Sequence, residues 1–126
     1  MLATVALVAA AMLAAVPGGT LAKDGDVIRT GSCTGATDWK LKLSPENGRI
    51  EVEFEVDQNQ NGKTWNVRLK RNGDTFWNGQ RVTKAPSGSF EVRKVTGNAP
   101  GSDHIVARAR NTQSGEVCRG VANFPG

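Results

Sequence analysis

The stretch Arg49–Val56, RIEVEFEV, alternates charged and apolar residues without a break over eight positions. A β-strand turns successive side chains to opposite faces. The pattern therefore predicts a strand with Ile50, Val52 and Phe54 toward a core and Glu51, Glu53 and Glu55 toward solvent. No helical period accommodates it.

The same period returns along the chain. Residues 38–43 (DWKLKL) alternate strictly, residues 64–70 place Trp65, Val67 and Leu69 on one face, and further alternating segments lie near 75–82, 89–95, 103–111 and 116–124. Turn residues separate them: Ser44-Pro45-Glu46-Asn47-Gly48, the polar run Asp57 to Gly62, Asn72-Gly73, Ala85-Pro86-Ser87-Gly88, Thr96 to Gly101 and Thr112 to Gly115. Asn-Gly between two alternating runs is a strong hairpin signal. Regularly spaced short strands with no intervening helix predict an all-β antiparallel sandwich of seven to eight strands. The predicted core is Trp39 and Trp65 with Ile50, Val52, Phe54, Val67, Leu69, Phe90, Val92, Ile105 and Ala107.

The N-terminus reads differently. Residues 1–22, MLATVALVAAAMLAAVPGGTLA, carry no charge, and the apolar run Leu2–Val16 is followed by Pro17, two glycines and Thr20-Leu21-Ala22. This is the form of a secretory signal helix with a small-residue cleavage site. The run is short for a membrane span, which needs about 20 residues. No Lys or Arg precedes it, as a signal ordinarily has, and a start upstream of Met1 would supply one. The expected organisation is a signal peptide over residues 1–22 and one β-domain over 23–126, secreted, with no stable membrane span after cleavage. In an exported chain, two well-separated cysteines, Cys33 and Cys118, read as a disulfide, the alternative being two buried free thiols.

Catalytic chemistry is poorly supplied. His104 is the sole histidine and tyrosine is absent. A serine or cysteine nucleophile would lack the base it usually needs. Asp57, Asn59 and Asn61 alternate in a polar loop, but one carboxylate among amides is too little for a calcium loop. Glu51, Glu53 and Glu55 form a flat ladder, which cross-strand charge pairing with Lys40, Lys42 and Arg93 explains better than a glycosidase pair. No enzyme activity, metal or cofactor is expected.

The outward positions of the later strands are basic. Arg68 and Lys70, Arg108 and Arg110, and Arg119 alternate onto one face, with Arg81 and Trp77 on the adjoining strand. Phe76 and Trp77 are neighbours, so a regular strand turns one of them out. Such a face can clamp carboxylates or phosphates with guanidinium groups and stack an aromatic ring on a base or a sugar. The bland alternative is a solvated face that deters aggregation. A net charge of +4 is too small to argue for nucleic acid, and none is expected as a partner.

Ala107-x-Ala109-x-Asn111, followed by a short loop and Gly115, is similar to the F–G hairpin of immunoglobulin-like domains, with Ala107 where many carry their second core cysteine. Trp65 stands in the third alternating segment, where that superfamily often has its core tryptophan. The chain also resembles small secreted single-domain proteins of actinobacteria. The resemblance covers about residues 30–124 and implies a fold and an export route, with no activity attached. It also implies that Cys33 and Cys118 join the first strand to the last, in place of the usual bridge between the two sheets' central strands. The function expected is a non-enzymatic binding or interaction module for an acidic extracellular or cell-wall polymer or an extracellular protein. The alternative is an inhibitor of an extracellular hydrolase, with Thr83–Ser89 or Thr96–Gly101 as its reactive loop.

Overall fold

The computed structural model describes residues 22–125. The signal helix expected over residues 1–22 falls outside them except for its last residue. Eight strands follow one another: β1 (Val27–Ser32), β2 (Asp38–Glu46), β3 (Arg49–Asp57), β4 (Thr64–Arg71), β5 (Asp74–Val82), β6 (Ser89–Thr96), β7 (Asp103–Asn111) and β8 (Val117–Phe124). They form two four-stranded sheets of order β1-β2-β3-β6 and β5-β4-β7-β8, with every pairing antiparallel. The order β2-β3-β6 against β5-β4-β7-β8 is that of an immunoglobulin-like sandwich, to which β1 is added as an outer strand.

Two of the hairpins are made by the turn residues that signalled them. Asn47-Gly48 joins β2 to β3 and Asn72-Gly73 joins β4 to β5. All four residues have positive φ, between 50 and 88°, which is the type I′ geometry that matches the twist of a two-residue hairpin.

The inner faces of both sheets make one core. Leu41, Leu43, Ile50, Val52, Phe54 and Val56 from the first sheet meet Trp65, Leu69, Ile105, Ala107 and Ala109 from the second, and all are fully buried. Trp65 packs 6.4 Å from the Phe90 ring, and its indole N–H donates to Gln58 Oε1 at 2.9 Å. Burying so large a ring is cheap only because its one polar atom finds a partner. Trp39, expected in this core, lies at its margin and is half-buried. Its ring closes the side of the sandwich where β1 meets β8, between Gly31 and Gly120.

The same margin carries the disulfide. Cys33 and Cys118 are bridged, tying the β1–β2 loop to β8. Cys33 lies one residue past β1 and not on a strand. The Glu116 carboxylate reinforces the tie by accepting from Gly35 N–H (2.9 Å), Thr37 N–H (3.0 Å) and the Thr37 hydroxyl (2.8 Å). A Cβ on Gly35 would come within 2.7 Å of that carboxylate and would push it from the position in which it accepts these bonds. At the opposite end of the domain, buried Asp103 accepts from Arg71 (3.2 Å), Asn72 Nδ2 (3.0 Å) and Ala99 N–H (3.1 Å). It fastens the β6–β7 connection to the β4–β5 hairpin.

Candidate functional site: the outer face of the second sheet

The buried residues of β4, β7 and β8 are those at odd positions in the first two and even positions in the third, so the intervening residues look outward. Register then decides which of them meet. Arg68 is the cross-strand partner of Arg108, and Arg108 of Arg119. Three arginines thus form one row across three strands. Directly opposed residues in an antiparallel pair have Cα atoms about 4.5–5.5 Å apart. Arg110 and Lys70 stand one step along the strand on either side of the row, opposite Asn66 and Val106 respectively.

Like charges placed directly opposite each other destabilise a sheet. No neighbouring acid offsets the cost here. On β4, β5, β7 and β8 the one exposed carboxylate is Asp74, the first residue of β5, opposite Arg71 and off the row; the outward residues opposite and beside the three arginines are Asn66, Lys70, Asn78, Val106 and Arg110. Among the described residues Arg108, Arg110 and Arg119 make no ion pair, and Arg68 spends only its Nε, on Asn78 Oδ1 at 3.1 Å. The three are exposed, so water carries their charge in the absence of a ligand.

Two shallow depressions lie side by side on this face. One, of about 290 Å³, is lined by Arg68, Lys70, Gly73, His104, Val106, Arg108 and Arg119. The other, of about 380 Å³, is lined by Asn66, Val67, Arg68, Asn78, Gly79, Gln80 and Arg108. Arg68 and Arg108 stand between them and belong to both.

Arg81 and Trp77 are not on this face, contrary to the sequence pattern. Leu69 is opposite Trp77 while Lys70 is opposite Thr75, so β5 holds one extra residue, Phe76, at a bulge. Two residues against one partner turn both Phe76 and Trp77 toward the core, against which both pack. Arg81 is opposite inward-facing Trp65 and lies over the Trp77 ring at 4.8 Å, with Lys94 at 5.0 Å. The three form a cation–aromatic cluster at the side of the sandwich between β5 and β6. The basic face is left with Arg68, Lys70, Arg108, Arg110 and Arg119 and without the indole of Trp77, the His104 imidazole standing at its edge.

The outer face of the first sheet is organised in the opposite way. Glu53, expected on an exposed ladder, is buried, and Arg93 donates to its Oε1 at 2.7 Å and to Glu91 Oε1 at 3.3 Å. Arg93 is held the more firmly protonated by its hydrogen bond to Glu53. Lys42 is buried beside Asp26, Nζ to Oδ2 3.6 Å, with 4% and 2% of the two side chains exposed. Burial works to raise Asp26, but the Ser44 hydroxyl, the Lys23 N–H and the Lys42 charge outweigh it, and its carboxyl titrates below the ordinary value. Burial raises Glu91, helped by its hydrogen bond to Glu53 and that group's charge, and burial raises Glu55 despite Lys40. These charges pair neighbouring strands, and Glu55 also borders two open depressions, one of about 440 Å³ with Asp38, Lys40 and Asp57 and one of about 620 Å³ with Glu91, Arg81 and Lys84.

His104 is exposed, its Nδ1 2.8 Å from Asn123 Oδ1. In the polar loop after Asp57, Gln58 Oε1 accepts from the Trp65 indole and the Gln60 carbonyl from the Thr83 hydroxyl. Thr83–Ser89 is closed by its own bonds, Lys84 N–H to Ser89 O (3.0 Å) and Gly88 N–H to Lys84 O (2.8 Å).

No protein-family model matches the chain, and the comparisons with curated proteins and with solved structures found no match.

Proposed function

We propose that this chain is an exported, non-enzymatic binding module whose second sheet holds an acidic extracellular polymer on its outer face. The observation that carries the reading is the row Arg68–Arg108–Arg119, set in register across three strands with Lys70 and Arg110 beside it and no carboxylate among them. A solvated face needs only interspersed charges of both signs. A face of one sign focuses a field that draws a polyanion in, even on a protein of modest net charge. Export is supported by the apolar stretch Leu2–Val16 with its small-residue ending, and by a disulfide, which persists in oxidising compartments. The likeness to secreted actinobacterial domains belongs to the same reading.

The test is retention on an anionic resin and on isolated cell-wall polymer across a salt gradient. The double change Arg108→Glu with Arg110→Glu alters two exposed side chains and should abolish retention. Arg49→Glu with Lys84→Glu makes the same change in net charge at exposed positions off the face. It should leave most of the retention. Equal losses from both pairs would mean that total charge alone matters and would overturn the proposal.

A further inference from the structure

We infer that the polymer held on this face is an acidic polysaccharide, bound through its hydroxyl groups as well as its anions. The inference rests on the polyanion reading above and adds the chemistry of the second depression. That depression is walled by amides: Asn66, Asn78 and Gln80. Gln80 Nε2 donates to Asn66 Oδ1 at 2.8 Å, and Arg68 Nε to Asn78 Oδ1 at 3.1 Å. With both asparagine carbonyls engaged, the two NH₂ groups and the Gln80 carbonyl oxygen are left for a ligand. This set of donors and an acceptor suits neighbouring hydroxyls, each of which both donates and accepts.

Position matters as much as inventory. The amide depression and the cationic one share Arg68 and Arg108. Outward neighbours along one strand, such as Asn66, Arg68 and Lys70, are about 7 Å apart, the scale of a single sugar ring. A chain lying along β4 would set hydroxyls against Asn66 and Gln80 and an anionic substituent against Lys70, Arg119 and the shared arginines. Val106 gives the cationic depression an apolar floor, suited to the carbon edge of a ring.

A nucleic acid fits less well. Single strands are held by stacking bases on aromatic side chains along a basic groove. The bulge at Phe76 turns both that ring and Trp77 inward, which leaves the single imidazole of His104 beside the cationic depression and no row of rings on which successive bases could stack. Inorganic polyphosphate would use the arginines and leave the amides idle.

The experiment compares three probes by titration calorimetry: a heparin oligosaccharide, polyphosphate of matched charge, and single-stranded oligothymidylate. The variant is Asn66→Ala with Gln80→Ala. Both side chains are exposed and bond each other, so removing the pair leaves no orphaned partner and does not touch Arg68. Heparin affinity should fall about fivefold to tenfold, the effect of one to two lost hydrogen bonds, with polyphosphate affinity and the thermal midpoint unchanged. An unchanged heparin affinity, or an equal loss for both probes, would overturn the polysaccharide inference and leave the polyanion reading standing. So would oligothymidylate binding as tightly as heparin to the unaltered protein. If Arg108→Glu with Arg110→Glu binds every probe as the unaltered protein does, the underlying reading falls instead.

Discussion

The Trp39 margin predicts that a single methyl group will unsettle the fold. The two long edges of the Trp39 six-membered ring face two glycines. A Cβ built on Gly120 would lie 2.8 Å from Cζ3 and 2.9 Å from Cε3; one on Gly31 would lie 2.6 Å from Cζ2 and 2.8 Å from Cε2. Carbon atoms prefer about 3.5–4.0 Å. Gly120→Ala therefore requires a shift of about 1 Å, and the ring cannot supply it, because moving off β8 drives it into β1. Overpacking of this kind costs about 1–3 kcal/mol. In a domain of this size that is a fall in Tm of about 4–8 °C per kcal/mol. Urea unfolding followed by far-ultraviolet circular dichroism, with the disulfide intact, measures it. The decisive comparison is a double-mutant cycle with Trp39→Val. The smaller side chain destabilises the protein on its own account but frees the space, so Gly120→Ala should then be nearly neutral, and the cycle should show a coupling of at least about 1 kcal/mol. A Gly120→Ala cost within about 0.5 kcal/mol in the unaltered protein, or the same cost in both backgrounds, would refute the wedge.

Three other outcomes can be checked with the same instruments. Trp65→Ala should cost about 3–5 kcal/mol, the range for emptying a buried aromatic site, and a loss below about 1 kcal/mol would mean that the ring is not the centre of the core. Replacing Cys33 and Cys118 together by Ala should lower stability by about 2–5 kcal/mol, since the bridge spans 85 positions and so confines most of the unfolded domain; non-reducing peptide mapping should find the linked pair. Stability should also rise as the pH falls from neutrality toward about 4.5. Glu55 and Glu91 titrate above their ordinary value of 4.5, so in that window the folded protein binds more protons than the unfolded chain. Their contribution is present at low pH and is lost as the pH rises through their folded values. Asp26 works the other way, losing its contribution below its ordinary value of 3.8 as the pH falls through its folded value. Thermal midpoints should therefore pass through a maximum in mild acid, and Glu55→Gln with Glu91→Gln should flatten the upper side of it.

Strands β2 to β8 were legible because each buries one face and exposes the other, and alternation records that asymmetry directly. Strand β1 was not legible. Its residues, VIRTGS, are mostly exposed on both sides, so burial leaves no mark on their order. The five cations that share the outer face were legible by the same period, but the row Arg68–Arg108–Arg119 depends on the register of β4 against β7, where Arg68 meets Arg108 across 40 positions of chain, which no local pattern encodes. Trp77 and Arg81 were misplaced because one extra residue in β5 reverses the parity of everything on one side of it. The mismatch between Phe76-Trp77 and a regular alternation was the one available sign. The Glu116 clasp and the burial of Lys42 against Asp26 were invisible for a different reason: each joins segments that only tertiary packing brings together. Asn78 and Gln80 were passed over because exposed amides on an edge strand carry no signal until a basic row stands beside them.

The two outer faces differ in what their charges are for. On the first sheet the charges are spent on the fold. Lys42 meets Asp26, Arg93 spans Glu53 and Glu91, and removing one member would take the opposite charge away from a buried or half-buried partner. On the second sheet the row Arg68–Arg108–Arg119 lacks any acidic partner and contributes repulsion, yet the fold does not depend on relieving it. The core, the disulfide, the Glu116 clasp and the Asp103 network all lie elsewhere. A surface that bears a standing electrostatic cost and no structural duty is free to meet a ligand without the fold reorganising, and the binding energy of a polyanion is not drained by rearrangement. It follows that neutralising the row should stabilise the unliganded domain while it abolishes binding. Arg108→Gln, at the centre of the row, should raise Tm slightly at low ionic strength and do so less as salt is added, because screening already removes the repulsion. A fall in Tm on that substitution would mean that Arg108 holds the sheet together and that its place in the row is structural.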